Sequence, residues 1–266
     1  MPSFKFLAVQ SAENGVFAVK LARPPANAVN REMYIELKQL FGNVDQLGDV
    51  RSIVLCGEGK HFCAGNDLEE FSTMHPENAA ERMWRVREAF FAISGCSVPV
   101  IAAVHGAAVG TGLALAASCD FVVAARSSSF ALPELTVGVM GGARHLTRMA
   151  PQPLVRRMYF TGLPMPAEQF AAAGGAVFVC EDSQLMDEAI RLAQRIASFS
   201  PTAVRVSKRV LDRIEWMDLT SGYEFEQGAT TRMSGHPDSK EALAAFREKR
   251  SPAYQSRSDE RHWFGM

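Results

Sequence analysis

Phe4 to Val9 and Val16 to Leu21 are apolar runs, each broken only by one lysine (Lys5 and Lys20), on either side of Glu13-Asn14-Gly15. Two β-prone apolar runs around an Asn-Gly turn predict a β-hairpin. After the loop Arg23-Pro24-Pro25-Ala26-Asn27, Asn30 is placed to cap a helix from Arg31 to about Leu47. A different pattern then recurs in loose form. Arg51 to Cys56 is an unbroken β run ending in the glycine loop 57–65, with an acidic segment from Asp67. Pro99 to Val104 ends in the glycine loop 105–112 and leads into an Ala-rich helix, and Asp120 to Ala125 ends in a serine loop and Phe130-Ala-Leu-Pro-Glu134. Continuous apolar runs are what strands buried on both faces require. Strand, turn and helix in succession predict a parallel-type α/β core whose ligands bind at the strand ends.

From Pro166 onward the strand signal is confined to Ala176–Val179, and helical periodicity covers roughly 184–199, 201–214, 217–233 and 238–249, with Pro201 and Pro237 as starts. The expected organisation is an α/β core over 1–197 and a helical region over 198–266. The polar tail from Ser251 is expected to be loose. Arg205, Lys208, Arg209 and Arg213 read most simply as a solvated face, as does Arg247-Glu-Lys-Arg250, with RNA contact a weaker alternative for the former.

Composition narrows the classes. The 266 residues carry 28 basic and 29 acidic side chains, a net charge of −1, which excludes a nucleic-acid binder relying on a global positive field. With 47% apolar and 21% charged residues the chain can bury a large core. Cys56, Cys63, Cys96, Cys119 and Cys180 are odd in number with no Cys-x-x-Cys pair, which points to a reducing compartment rather than a disulfide framework or zinc ribbon. The N-terminus has neither the apolar run of a signal peptide nor the Arg/Ser richness of a transit peptide, so a cytoplasmic location is expected. Val98–Cys119 lacks Asp, Glu, Lys and Arg, yet Pro99, Gly106, Gly110 and Gly112 break it, so it reads as buried strand, turn and helix instead of a membrane span.

Three places can carry chemistry. Gly106-Ala-Ala-Val-Gly110-Thr111-Gly112-Leu-Ala114 puts small residues between a strand and a helix, leaving N–H groups open to an oxyanion or phosphate. Phe62-Cys63-Ala64-Gly65-Asn66-Asp67-Leu68 is a second such turn, and together they can aim two N–H groups at one oxygen. Close helix–strand packing explains either turn alone equally well. Glu134 is the third: a lone carboxylate between apolar stretches, where burial raises its pKa toward values useful for moving protons, against the bland reading of a surface turn. A dinucleotide fingerprint fits poorly, because Leu115 stands where the third glycine belongs and Glu134 follows Pro133 in a loop. His61, His105 and His145 have no metal-ligand spacing, so no metal is expected. No Gly-x-Ser-x-Gly elbow is present, and Cys63 has no evident base nearby in sequence. Arg144 and His145 after Gly141-Gly142 are candidates for a pocket wall or a helix start.

Ala64-Gly65-Asn66-Asp67-Leu68, then Pro99 to Gly106 through Gly110-x-Gly112 to Cys119-Asp120, then Phe130-x-x-Pro133-Glu134-x-x-x-Gly138, together resemble the signature of the enoyl-CoA hydratase/isomerase, or crotonase, superfamily. The resemblance runs from Arg23 to Arg250. It implies a crotonase-like α/β spiral of ββα units, a helical C-terminal region that makes trimers or dimers of trimers, and acyl-CoA thioester substrates with no cofactor beyond the substrate's own coenzyme A. By matching, the amides of Asn66 and Thr111 hold the thioester oxygen as an enolate forms. Arg23 and Lys60 contact CoA phosphates, and Ala64 and Leu68 lie beside the adenine. Neither nucleic acid nor membrane is an expected partner.

The departures from that pattern bear on the reaction. Hydratases of the family use two glutamates, and the first position here is Ala114. One carboxylate suffices to carry a proton from one carbon of an enolate to another, whereas adding water calls for a second group. The resemblance with this departure implies enoyl-CoA double-bond isomerisation with Glu134 as single acid/base. The alternatives are a hydratase with an unrecognised second group, a CoA lyase, decarboxylase or hydrolase using Arg144 or His145, and a non-catalytic acyl-CoA-binding scaffold. Val139-Met140-Gly141-Gly142-Ala143-Arg144-His145 replaces the family's usual proline and longer glycine loop, which makes Met140, Arg144 and His145 possible pocket residues.

Overall fold

The computed structural model describes residues 3–255. Strands β1 (Leu7–Ser11) and β2 (Val16–Leu21) form the antiparallel hairpin, Leu7 opposite Leu21. Helix α1 spans Arg31–Phe41, with the Asn30 side chain accepting from Met33 N–H at 2.9 Å. It stops six residues before the expected end at Leu47. Gly42 and Asn43 interrupt it, and Val44–Leu47 continue as a separate 3-10 turn that buries Val44 and Leu47.

β3 (Ser52–Gly57) is followed by α2 (Leu68–Ser72) and α3 (Pro76–Ser94). Next come β4 (Val100–Val104), β5 (Ala107–Val109), α4 (Thr111–Ser118), β6 (Phe121–Ala125) and β7 (Ser129–Ala131). The central segment continues through α5 (Ala143–Leu146), α6 (Gln152–Thr161), β8 (Met165–Pro166), α7 (Ala167–Ala172) and β9 (Val177–Cys180). Helices α8 (Leu185–Ala197), α9 (Pro201–Ile214), α10 (Leu219–Met233) and α11 (Pro237–Glu248) complete it. These last four match the helical periodicity closely.

The main sheet has the order β1-β2-β3-β4-β6-β9, parallel throughout except for the β1 edge. Its unbroken apolar runs are explained by cover on both faces. Ile53, Leu55, Val100, Ala102, Val122 and Ala124 point into the large core under α1, α3 and α4. Val54, Cys56, Ile101, Ala103 and Val123 pack against Leu185, Ala189, Ala193 and Ala197 of α8.

A second, smaller sheet is the one that positions the site. β5 and β7 pair in parallel, and β8 joins antiparallel. Isolated parallel bridges extend it, Cys63 to Ala108 and Val29 to Asn66. Each turn of the chain therefore lays one long strand in the main sheet and one short stretch in the small one before entering a helix. The loops read as glycine-rich and serine-rich contain these short strands. Their continuations, 64–66, 110–111 and 132–134, leave neighbouring parallel stretches at the same end.

The C-terminal helices return to the spiral through α9. Arg205 and Lys208, expected on a solvated face, are 2% and 3% exposed. Arg205 donates to Ser97 Oγ (2.6 Å) and Val50 O (3.1 Å) and pairs with Asp45. Lys208 pairs with Asp212 at 2.7 Å and Asp120 at 3.1 Å. Charges with such partners can be buried, and helical spacing alone does not reveal the partners. The tail expected to be loose from Ser251 is held as far as Gln255: Ala253 N–H donates to Glu241 and Gln255 N–H to Asp238. The rest of that segment lies outside the described residues. Among those residues no helix is long and apolar enough to cross a membrane, and all five cysteines are free thiols.

Candidate active site

The glycine positions explain how the two turns approach one another. Gly112 packs its α-carbon on the Cys63 carbonyl, where a Cβ would overlap the oxygen. Only glycine lets the first turn of α4 lie this close to the 63–66 strand end. Gly110 has φ +53°, which turns the chain from β5 into α4.

The hydrogen-bond pattern leaves two amides over. In the bridge between Val29 and Asn66, Val29 N–H donates to Gly65 O (2.8 Å) and Asp67 N–H to Val29 O (3.0 Å). Asn66 N–H lies outside this ladder. Thr111 is the first residue of α4, and the first helical bond is Ala114 N–H to Gly110 O at 3.0 Å, so Thr111 N–H is one of the helix's orphan donors. Both residues line one cavity of about 470 Å³.

A side chain without a place in the sequence reading ties them together. Tyr34 of α1 is 2% exposed, and its hydroxyl donates to Asn66 Oδ1 at 2.6 Å. Having spent its proton there, it can only accept from the Thr111 hydroxyl, 3.2 Å away. Burial pushes the Tyr34 pKa up, against the lowering hydrogen bond from Thr111, which keeps it a neutral donor. The available signal was a lone hydroxyl on the apolar face of α1, beside Met33 and Leu37.

Glu134 begins a 3-10 turn after Pro133 and lies in the wall of the same cavity. Its Oε1 lies against Gly110 and Gly142, within 3.2 Å of where a Cβ would stand on either. Its Oε2 is buried with no hydrogen-bond partner. Desolvation raises its pKa above the ordinary carboxylate range, as the apolar flanks suggested. The other lining carboxylates are differently placed. Asp67 is ion-paired with Arg23 and caps α2 through Glu70 N–H, which holds its pKa down, and Glu69 is exposed.

Other expected residues divide. Ala64 and Leu68 line the cavity, Leu68 at 62% exposure, and Val139 lines it where Met140 does not. Arg23 is behind the wall, held by Asp67 and the Ala28 carbonyl (2.8 Å), and Lys60 is exposed outside the lining. Arg144 and His145 are not brought to this cavity. They line a separate hollow with Trp216; Arg144 stacks on the Trp216 ring (4.3 Å to its centroid), and His145 meets Phe90 edge-on at 4.8 Å. The Gly142 turn starts α5 and sets both side chains against Trp216 and Phe90, away from the cavity. Burial, aided by Arg148 and Arg144, keeps the His145 pKa low.

The family model for enoyl-CoA hydratase/isomerase matches residues 11–257. The chain belongs to the enoyl-CoA hydratase/isomerase family. Within it, the chain is 33% identical over 260 residues to a probable mitochondrial enoyl-CoA hydratase 2 of Arabidopsis thaliana, covering 95% of this chain and 86% of that protein. It is 34% identical over 223 residues to a (7aS)-7a-methyl-1,5-dioxo-2,3,5,6,7,7a-hexahydro-1H-indene-carboxyl-CoA hydrolase of Mycobacterium tuberculosis, covering 84% of this chain and 90% of that one. The solved structure of an enoyl-CoA hydratase from Bacillus anthracis superimposes with a TM-score of 0.90 at 31% identity, over 95% of this chain and 100% of the other. The fold is thus the crotonase fold, and acyl-CoA thioesters are the substrates the family fits.

Proposed function

We propose that this enoyl-CoA hydratase/isomerase family member is an enoyl-CoA double-bond isomerase with Glu134 as its single acid/base. The observation that carries this reading is the partnerless, buried Oε2 of Glu134 in a cavity that also presents the free amides of Asn66 and Thr111. A thioester oxygen accepting from both N–H groups becomes more negative as a proton leaves the adjacent carbon, so the two donors act more strongly on the enolate than on the substrate. The raised pKa of Glu134 suits it to take a proton from C2 of a 3-enoyl thioester and return it at C4. Atoms balance without water, and the carboxylate is regenerated. Ala64 and Leu68 would flank the CoA adenine, with Arg23 and Lys60 toward the phosphates at the rim. The assembly in this proposal is a homotrimer or a dimer of trimers, for which the C-terminal region supplies exposed Leu219 and Phe246.

Hydration is the second reading, favoured by the relatives named as hydratases. Against it stands buried Ala114 and an Asp67 already committed to Arg23. Mass spectrometry of products from 2-enoyl-, 3-enoyl-, malonyl-type and cyclic acyl-CoAs separates the readings. Isomerisation preserves mass, hydration adds water and hydrolysis releases free CoA. Water addition to a 2-enoyl-CoA with no bond migration in a 3-enoyl-CoA would overturn the isomerase proposal, and binding without turnover would mark a scaffold.

A further inference from the structure

Beside the cavity, on the far side of Tyr34, a hollow of about 320 Å³ collects an unusual concentration of cations. Arg31 comes from α1, Glu70 from α2, and Glu81, Arg82 and Arg85 from α3. Three guanidinium groups face two carboxylates, leaving one positive charge uncompensated within the hollow. The local bonds can be followed one by one. The Glu70 carboxylate accepts from Arg31 N–H at 2.8 Å and lies 3.4 Å from Arg82 Nη2. Arg82 Nη1 donates to the Glu70 carbonyl (2.7 Å). Glu81 is taken by Arg85 Nη2 and lies 3.8 Å from Arg31. Apart from the 3.4 Å ion pair with Glu70, Arg82 Nη2 is buried with no hydrogen-bond partner, and Arg85 Nε is buried with none either. Buried N–H groups of charged side chains are costly unless an acceptor is supplied, and a carboxylate is the acceptor whose shape and charge suit a guanidinium.

The hollow is coupled to the reaction cavity through two rings. Tyr34 lines the hollow and bonds to Asn66 and Thr111 on its other side. Phe71 lines the cavity, and the Arg82 guanidinium stacks on its ring at 5.1 Å. An acyl chain held by its thioester oxygen at Asn66 and Thr111 and directed toward Phe71 would meet the arginines directly behind that ring. Resting on the acyl-CoA reading of the cavity, we infer that the acyl group this protein accepts carries a second carboxylate at its far end, received by Arg82 and Arg85. Its two oxygens give the unpartnered N–H groups an acceptor and neutralise the surplus charge. The substrate class is a dicarboxylic mono-CoA thioester.

The test compares two enoyl-CoAs of equal chain length, one ending in a methyl group and one in a carboxylate, by kcat/KM and by calorimetric Kd. The wild type should prefer the carboxylate at least ten-fold in either readout. Arg85→Gln should weaken the carboxylated thioester at least five-fold more than the methyl-ended one, and Arg82→Gln should do the same. A purely structural role for these arginines would lower both substrates together and overturn the inference, as would equal Kd values in the wild type. Turnover of the methyl-ended thioester without preference leaves the isomerase reading standing and removes this one. Preferential binding of the carboxylated thioester with no turnover does the reverse.

Discussion

Glu134→Gln is the substitution that asks most of the site. It keeps the shape of the side chain against Gly110 and Gly142 and removes the ability to hold a proton. Because no hydrogen bond to Oε2 has to be broken, the exchange costs no partner in the folded protein. A positioned acid/base contributes about 10²–10⁴-fold, so kcat for migration of the double bond should fall by about that factor, or about 3–5 kcal/mol of barrier. Ultraviolet absorbance of the conjugated thioester follows the reaction, and CoA-ester affinity measured in parallel should change less than about two-fold, since the amides of Asn66 and Thr111 are untouched. Stability supplies an independent sign. The folded-state pKa of Glu134 is raised by desolvation, so the wild type gives up stability as pH rises through that value, while the Gln variant does not. The variant should therefore match the wild type near pH 4 and melt at a higher temperature near pH 7. In the wild type, kcat/KM should fall on the acid side at a pH above the usual carboxylate range. A variant that keeps its rate within ten-fold, or an acid limb in the ordinary carboxylate range, refutes the role given to this residue.

Three further substitutions test neighbouring parts of the structure. Tyr34→Phe takes away the hydroxyl between Asn66 and Thr111, and steady-state kinetics should show kcat about ten-fold lower with KM within about two-fold, because the amides lose alignment rather than identity. A matched fall in CoA-ester affinity would show that Tyr34 only supports packing. Gly112→Ala drives a methyl group into the Cys63 carbonyl, and thermal melts should record a loss of about 3 kcal/mol or more, with activity lost as α4 moves away from residue 66. Lys208→Met strands Asp120 and Asp212; burial works against the Lys208 charge but these two carboxylates more than offset it, so its pKa is raised. Calorimetry should give a melting temperature about 6–12 °C lower, from a loss of about 3 kcal/mol; an unchanged value would mean the cluster contributes nothing to stability.

The elements legible in the sequence are those whose period is long enough to count. The hairpin, the three apolar runs of the main sheet and the four terminal helices span several repeats of their pattern, and Asn30 and Pro201 mark true starts. β5 and β7 are three residues each, too short to display a period, so they were hidden inside glycine and serine loops. At the site, the turns holding Asn66, Thr111 and Glu134 were visible as small-residue interruptions and a stranded carboxylate. Tyr34 was not, because its partners lie 32 and 77 positions away. The same limit hid the burial of Arg205 and Lys208 and the direction of Arg144 and His145. Charge in sequence shows what a residue carries, whereas its counter-charge is set by the fold.

The anchoring of α9 has a consequence for the order of events during synthesis. Ser52 Oγ–H donates to Ala193 O and Arg205 to Val50 O, contacts spanning 141 and 155 positions. Sheet strands from the first quarter of the polypeptide stay uncovered on one face until α8 has left the ribosome, and their end is not clamped until α9 follows. Nascent chains halted before Leu185 should expose an oily sheet and recruit chaperones, and release of the final eighty or so residues should quench that recruitment in a single late step.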